Sequence, residues 1–131
     1  MSSGEAPLLE HATRDLASFA SQLQYADIPV EALARIKLSV LDSLGCCLFG
    51  TTLPWTQKVA TMALLEGARP RASLMGMGAR TSISLAVLVN STAGHAFELD
   101  DIHKESILHA GSIATPIAFA FDARYLYPIP G

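Results

Sequence analysis

The chain has 131 residues, 50% hydrophobic and 16% charged, with 9 Lys and Arg against 12 Asp and Glu for a net charge of −3. One domain of this length removes roughly two-thirds of its unfolded surface from water, and a mean hydropathy of +0.35 leaves apolar surface for a partner to cover. The scattered basic residues give no footprint for nucleic acid, and no apolar run approaches the ~18 residues that cross a bilayer.

The opening MSSGEAPLLEHATRD lacks the charged and apolar regions of a secretory leader. The expected compartment is the cytoplasm, with the mitochondrial matrix as the eukaryotic alternative. Residues 1–12 read as a flexible N-terminus. In TRDLASFASQLQY, Leu16, Phe19, Ala20 and Leu23 share one face of a first helix, with Thr13 as its cap. In DIPVEALARIKLSVLDSLGCCLFG, Asp27 caps, Pro29 sits in the first turn, and Val30, Leu33, Ile36, Val40, Leu41, Leu44 and Leu48 form the apolar stripe of a second helix that stops at Gly50. Its adjacent Cys46 and Cys47 disfavour a disulfide framework and read as core.

Residues 55–66 predict a third helix with Val59, Met62, Ala63 and Leu65 inward. GARPRASLMGMGARTS has neither the GK[ST] of a phosphate loop nor the spacing of a dinucleotide fingerprint, so it reads as a short hairpin around SLMGMG. ISLAVLVNSTAGHAFELDD predicts a fourth helix, capped by Ser82 or Thr81, with Leu85, Leu88, Val89 and Thr92 at core spacing and an end near residue 101. Gly111 and Ser112 open the next helix, for which Pro116 is also a suitable first residue, while Pro128 and Pro130 forbid helix near the end. The fold class is all-α, a helical bundle.

Residues 95–112, HAFELDDIHKESILHAGS, gather three histidines, four carboxylates and one lysine. On a helix reaching residue 101, Glu98 and Asp101 share a face, and carboxylates there oppose the macrodipole by about 0.3 to 1 kcal/mol each, so they are expected to pair or to function. Lys104, His103 and His109 are the available partners. A carboxylate beside a histidine fixes its tautomer and raises its basicity. Free N–H groups at Gly111 and Ser112 would face whatever His109 touches, which suits an anionic substrate. His95 reads as a hydrogen-bonded packing residue, and Asp100, Lys104 and Glu105 as a solvated rim. His95, Asp100, Asp101, His103 and His109 offer metal donors at spacings that match no zinc motif. DDIHKE departs from the magnesium-binding aspartate box of isoprenoid synthases, because Lys104 stands where a carboxylate is needed.

Three stretches resemble the MmgE/PrpD family, which includes 2-methylcitrate dehydratase and cis-aconitate decarboxylase: ARIKLSVLDSLGCCLFG, SLMGMGARTSISLAVLVNS, and above all AVLVNSTAGHAFELDDIHKESILHAGS. The resemblance covers about Thr13 to Ala120. It implies the helical domain (13–120, incomplete) of a two-domain lyase that dimerises through its helical part, needs no metal or cofactor, and acts on a small di- or tricarboxylic acid. The family's acidic, threonine and histidine site positions fall on Glu98, Ile102 and His109, with Ile102 replacing a hydroxyl, Glu98 a commoner aspartate, and Ala110 a usual proline. His109 is then the expected general acid or base, oriented by Glu98 and Asp101, while Lys104, His103, Gly111 and Ser112 hold substrate carboxylates. Family members are much longer, and their other catalytic groups lie downstream, so the chain reads as an N-terminal fragment with an atypical tail at 121–131. The alternative is a truncated, non-catalytic helical association module.

Overall fold

The computed structural model describes residues 11–126, with side chains described through residue 121. Residues 1–10 and 127–131, which hold most of the expected N-terminus and part of the expected tail, lie outside the described residues. Five α-helices and one small hairpin make up the described fold: α1 (Ala12–Gln22), α2 (Val30–Gly50), α3 (Pro54–Leu65), β1 (Ala72–Leu74), β2 (Ala79–Thr81), α4 (Ile83–Gly94) and α5 (Gly111–Leu126). The all-α expectation holds. Two compact units divide the chain, residues 1–35 and 36–131.

In the first unit, α1 starts one residue before Thr13 and has no side-chain cap, with the His11 carbonyl accepting from Asp15 N at 2.9 Å. Its Leu16, Phe19 and Leu23 are exposed. Asp27 does not cap α2. Its carboxylate accepts from Gln24 N at 3.0 Å inside a separate 3₁₀ turn, Tyr25–Asp27, and Pro29 precedes α2.

The second unit carries the core. Along α2 the buried residues are Ser43, Cys46, Cys47 and Gly50, an i, i+3, i+4, i+7 stripe of small side chains, while Ile36, Leu41 and Leu48 of the expected apolar stripe are exposed. Small residues face inward because the neighbouring backbone comes close. A Cβ at Gly50 would collide with the Ala93 carbonyl, and one at Gly94 would lie 3.2 Å from Cys47 Sγ. Cys47 Sγ donates to the Asn90 carbonyl at 3.4 Å. The same substitution of small for large occurs on α3, where Thr56, Ala60 and Ala63 are buried and the expected Met62 and Leu65 are exposed. On α4, Ala86, Val89, Asn90, Ala93 and Gly94 are buried, and Leu88 is exposed.

Replacement of Gly50 by alanine is expected to destabilise the protein by about 1–3 kcal/mol, the usual cost of overpacking, read as a lower urea midpoint at unchanged slope. Burial pushes the Cys47 thiol up to about 11, with the charges of Cys46 and Asp100 adding to the effect, so little reactive thiolate exists at neutral pH. Iodoacetamide at pH 8 is therefore expected to label both cysteines in urea and to leave Cys47 unlabelled in the folded chain, as mass spectrometry of the alkylated peptide will show.

Ala60, Ala63, Ala72, Leu74, Ala86, Val89 and Ala120 form the main apolar cluster. The hairpin expected around SLMGMG is present, with β1 and β2 antiparallel and Ala72 opposite Thr81. Gly76 and Gly78 take the turn at φ of 71° and 63°, a region that L side chains avoid. Buried Asn90 fastens the hairpin to α4, its amide donating to the Ser73 carbonyl at 3.0 Å and its oxygen accepting from Met75 N at 2.9 Å. Ser82 caps α4, as expected, through Leu85 N at 3.4 Å.

Two element ends differ from expectation. α4 stops at Gly94, seven residues before Asp101, with His95 as its C-cap. α5 opens at Gly111, so Pro116 lies inside the helix, buried, and not at its start; the missing N–H there removes one helical hydrogen bond. α5 continues through Leu126.

Candidate active site

Residues 95–110 form the irregular connection from α4 to α5. Phe97 stacks edge-on against Phe49 of α2 at 4.6 Å between ring centres, which pins the loop near its start. Glu98 follows at a φ of 57°, a conformation that costs a non-glycine residue about 1 kcal/mol or more. The reversal lets residue 100 fold back beneath residue 95.

Asp100 is the centre of the site and no rim residue, for its side chain is 0% exposed. Its Oδ1 lies 3.1 Å from His95 Nδ1, and its Oδ2 lies 3.2 Å from the same nitrogen and 3.3 Å from His109 Nδ1. The two imidazoles meet edge to face at 4.6 Å. Burial by itself would push the Asp100 carboxyl up, but the hydrogen bond from His95 and the nearby Ser112 hydroxyl outweigh it and hold the carboxyl below its ordinary 3.8. His109 Nδ1 is buried at ion-pair distance from Asp100 without the alignment of a hydrogen bond. A nitrogen facing a carboxylate is favoured in its N–H form, which leaves Nε2 of His109 as the nitrogen for a substrate.

Asp101 has a different task from the one its spacing suggested. Because α4 ends early, its carboxylate is not at a helix C-terminus; Oδ1 accepts from Gly111 N at 2.7 Å, at the N-terminus of α5, where a negative charge is favourable. The Gly111 N–H is therefore taken by the protein itself. A Cβ at Gly111 would collide with Asp101 and Ser43. Ser112 donates its hydroxyl to the His109 carbonyl at 3.1 Å, fixing the residue that carries the imidazole.

Glu98 and Asp101 do not share a helical face, and neither meets His109 in the structure; the carboxylate that does is Asp100. Glu98 Oε1 instead lies 3.3 Å from His95 Nε2. His103 and Lys104 are on an exposed turn closed by a bridge between His103 and Leu108, with His103 Nδ1 2.9 Å from Ser106 Oγ. Ile102 is also exposed.

A cavity of about 630 Å³ opens beside the trio, lined by Trp55, Ser91, Thr92, His95, Ala96, His109, Ser112 and Ile113. Of the predicted site residues, His109 and Ser112 line it, and Glu98, Asp101, His103, Lys104 and Gly111 do not. Asp100 and His95 are the residues that sequence reasoning passed over. Adjacent aspartates outside a helix point to different sides, so the pair Asp100–Asp101 already signalled one inward carboxylate. The donor atoms of His95, Asp100 and His109 lie within 4.8 Å of one another, the spacing a shared cation would need. The His95 contact to Asp100, however, has hydrogen-bond geometry, which uses the same nitrogen and oxygen, and we assign these groups as hydrogen-bond partners.

Fold and site together define a helical domain that presents a carboxylate-bound pair of imidazoles to a cavity. The chain belongs to the MmgE/PrpD family, whose N-terminal domain matches residues 14–125. It is similar to cis-aconitate decarboxylase of Aspergillus terreus, 33% identical over 108 residues, and to cis-aconitate decarboxylase-like protein oryM of Aspergillus oryzae, 32% identical over 110 residues. Each alignment covers 82% of this chain and 22% of the relative, so the chain spans about a fifth of their length. No solved structure matches it. Among the described residues no helix is long and apolar enough to cross a membrane.

Proposed function

We propose that this chain supplies the histidine end of an active site that moves a proton on the carbon next to a carboxylate of a small di- or tricarboxylic acid. The observation that carries the reading is His109, lining the cavity with Nδ1 against buried Asp100. With Nδ1 held as N–H, Nε2 takes a proton from the substrate carbon or returns one to it. Abstraction followed by C–O cleavage releases water, cleavage of a C–C bond to a carboxylate releases carbon dioxide with the carbon reprotonated, and return of the proton to the opposite face inverts the centre. The family and the printed names of the relatives support a carboxylic acid as substrate.

Ser112 and the hydroxyls of Ser91 and Thr92 are the groups at the cavity that would meet substrate oxygens. Gly111 serves by letting Asp101 dock, and Lys104 and His103 would reach an acid only from the exposed turn. Activity is proposed for the complete protein, acting in the cytoplasm as a homodimer through its helical part and without metal or cofactor. Incubation of that protein with cis-aconitate, citrate and 2-methylcitrate in D₂O tests the reading. Deuterium beside a carboxylate in at least one acid or its product is expected; a folded protein that leaves all of them unlabelled overturns it.

The exposed Leu41, Leu48, Leu64 and Leu65 favour one second reading, a helical association module without catalysis. Light scattering on the chain together with the D₂O assay separates the two: a monodisperse dimer without labelling is the module, and labelling is the enzyme.

A further inference from the structure

The lining of the cavity beside His109 does not suit charge alone. Trp55 from α3, Ala96 from the connecting loop and Ile113 from α5 give it apolar surface, and among the described residues that line it there is no Lys or Arg. Its volume of about 630 Å³ falls in the range that takes a drug-sized ligand and exceeds what a six-carbon acid fills. Trp55 and Ile113 are 49% and 50% exposed, so apolar area stays open beside the groups assigned to the reaction. Single exposed apolar residues are ordinary on a protein surface. An indole and an isoleucine side chain that share a cavity with a carboxylate-bound imidazole form a surface for a ligand.

The polar lining restricts how many carboxylates can enter. A hydroxyl has one proton to donate. That of Ser112 goes to the His109 carbonyl at 3.1 Å and that of Thr92 to the Leu88 carbonyl at 2.8 Å, so toward a ligand both oxygens are acceptors, suited to a substrate hydroxyl. The ring nitrogens of His95 lie against Asp100 and Glu98. Ser91 supplies the remaining hydroxyl of the lining, which serves one carboxylate beside the reacting carbon. A further carboxylate set against Trp55 and Ile113 would lose water and meet no donor, a costly exchange, whereas an alkyl chain there gains by the same loss of water.

We infer that this site takes a carboxylic acid bearing an alkyl chain longer than methyl, and that Trp55 is the specificity-determining residue against which the chain packs. The inference rests on the reading of His109 as the group that moves the proton, because that reading fixes the acid end of the molecule. Ile113 directly follows Ser112, so the start of α5 brings a hydroxyl and an alkyl surface to the same cavity. Each methylene that leaves water for this wall is expected to tighten binding by about twofold or more, approaching about fourfold where burial is complete.

Two signals on the 131-residue chain report the two ends of the ligand. Ring shifts of His109 in ¹⁵N-labelled protein follow the acid end, and fluorescence follows the chain end, since Trp55 is the one tryptophan in the sequence. The probes are cis-aconitate and citrates carrying a methyl, butyl or hexyl substituent, with circular dichroism confirming the fold of each variant. Dissociation constants read at His109 are expected to fall steadily from methyl to hexyl, with the Trp55 emission moving to the blue for butyl and hexyl. Trp55→Ala flattens the gain with length, and Trp55→Phe, which keeps an aromatic wall, retains most of it. Affinity that is flat or falls with length while cis-aconitate still moves His109 overturns the inference and leaves the proton-transfer reading standing. A gain with length that survives Trp55→Ala overturns the role of Trp55. A His109 ring that responds to none of the acids overturns the inference together with the reading beneath it.

Discussion

Replacement of His109 by alanine is expected to lower turnover of the complete protein by at least about a hundredfold, the usual contribution of a general acid or base. The imidazole lines the cavity, and its Nδ1 faces a carboxylate whose side chain is fully buried, so the ring enters the reaction with one nitrogen already committed. No neighbour can take over at the same place: His95 has Nδ1 on Asp100 and Nε2 on Glu98. The loss falls on kcat and on kcat/KM together, because an interaction made only in the transition state is removed. The variant is expected to stay folded, since His109 itself lies outside the apolar cluster of α3, β1, α4 and α5. Steady-state kinetics on the best acid from the D₂O assay check the prediction, and near wild-type turnover would remove His109 from the mechanism.

Asp100→Asn has two separable effects. The amide keeps the size of the side chain but loses the charge that fixes both tautomers, so turnover is expected to fall by about a hundredfold or more, by analogy with the orienting carboxylate of a Ser–His–Asp triad. Stability falls too, by about 1–3 kcal/mol, because the hydrogen bond from His95 loses a buried, ionised acceptor. The second effect carries a pH signature. The folded carboxyl is held below its ordinary 3.8, so its stabilisation is fully present above that value and is lost as pH falls through the lower folded one. Thermal midpoints from pH 7 to pH 2 should therefore converge for wild type and Asp100→Asn on the acid side. Parallel curves across the whole range would mean that Asp100 is not ionised in the fold. Chelator is expected to leave turnover unchanged, because the donor atoms a cation would need are those of the His95–Asp100 hydrogen bond.

Much of this was legible in the chain. Ser82 as a cap, the SLMGMG hairpin and the start of α5 at Gly111 follow from local chemistry, and all three are present. The inward faces were not legible. Large aliphatic residues such as Leu41 and Leu48 dominate a hydrophobic stripe, but the real stripe, Ser43, Cys46, Cys47 and Gly50, is chosen by how closely two backbones can approach. Gly50 against the Ala93 carbonyl shows that choice directly. In the candidate site, the segment and His109 could be read from residue types alone. The roles of its carboxylates could not, because they depend on where α4 ends: at Gly94, Asp101 becomes a partner of α5 and Asp100 turns inward, whereas a helix reaching residue 101 would have put Glu98 and Asp101 together. Gly94 was the local stop signal, as Gly50 was for α2, and the apolar run beyond it masked that signal.

The most direct test of the central claim is where a substrate-like acid touches the chain. In a titration of cis-aconitate into the ¹⁵N-labelled protein, saturable shifts are predicted at the His109 ring and at Ser112, with His103 and Lys104 left nearly still, and with the response lost in His109→Ala. Shifts centred on His103 and Lys104, with His109 unmoved, would contradict the account and place the acid on the exposed turn.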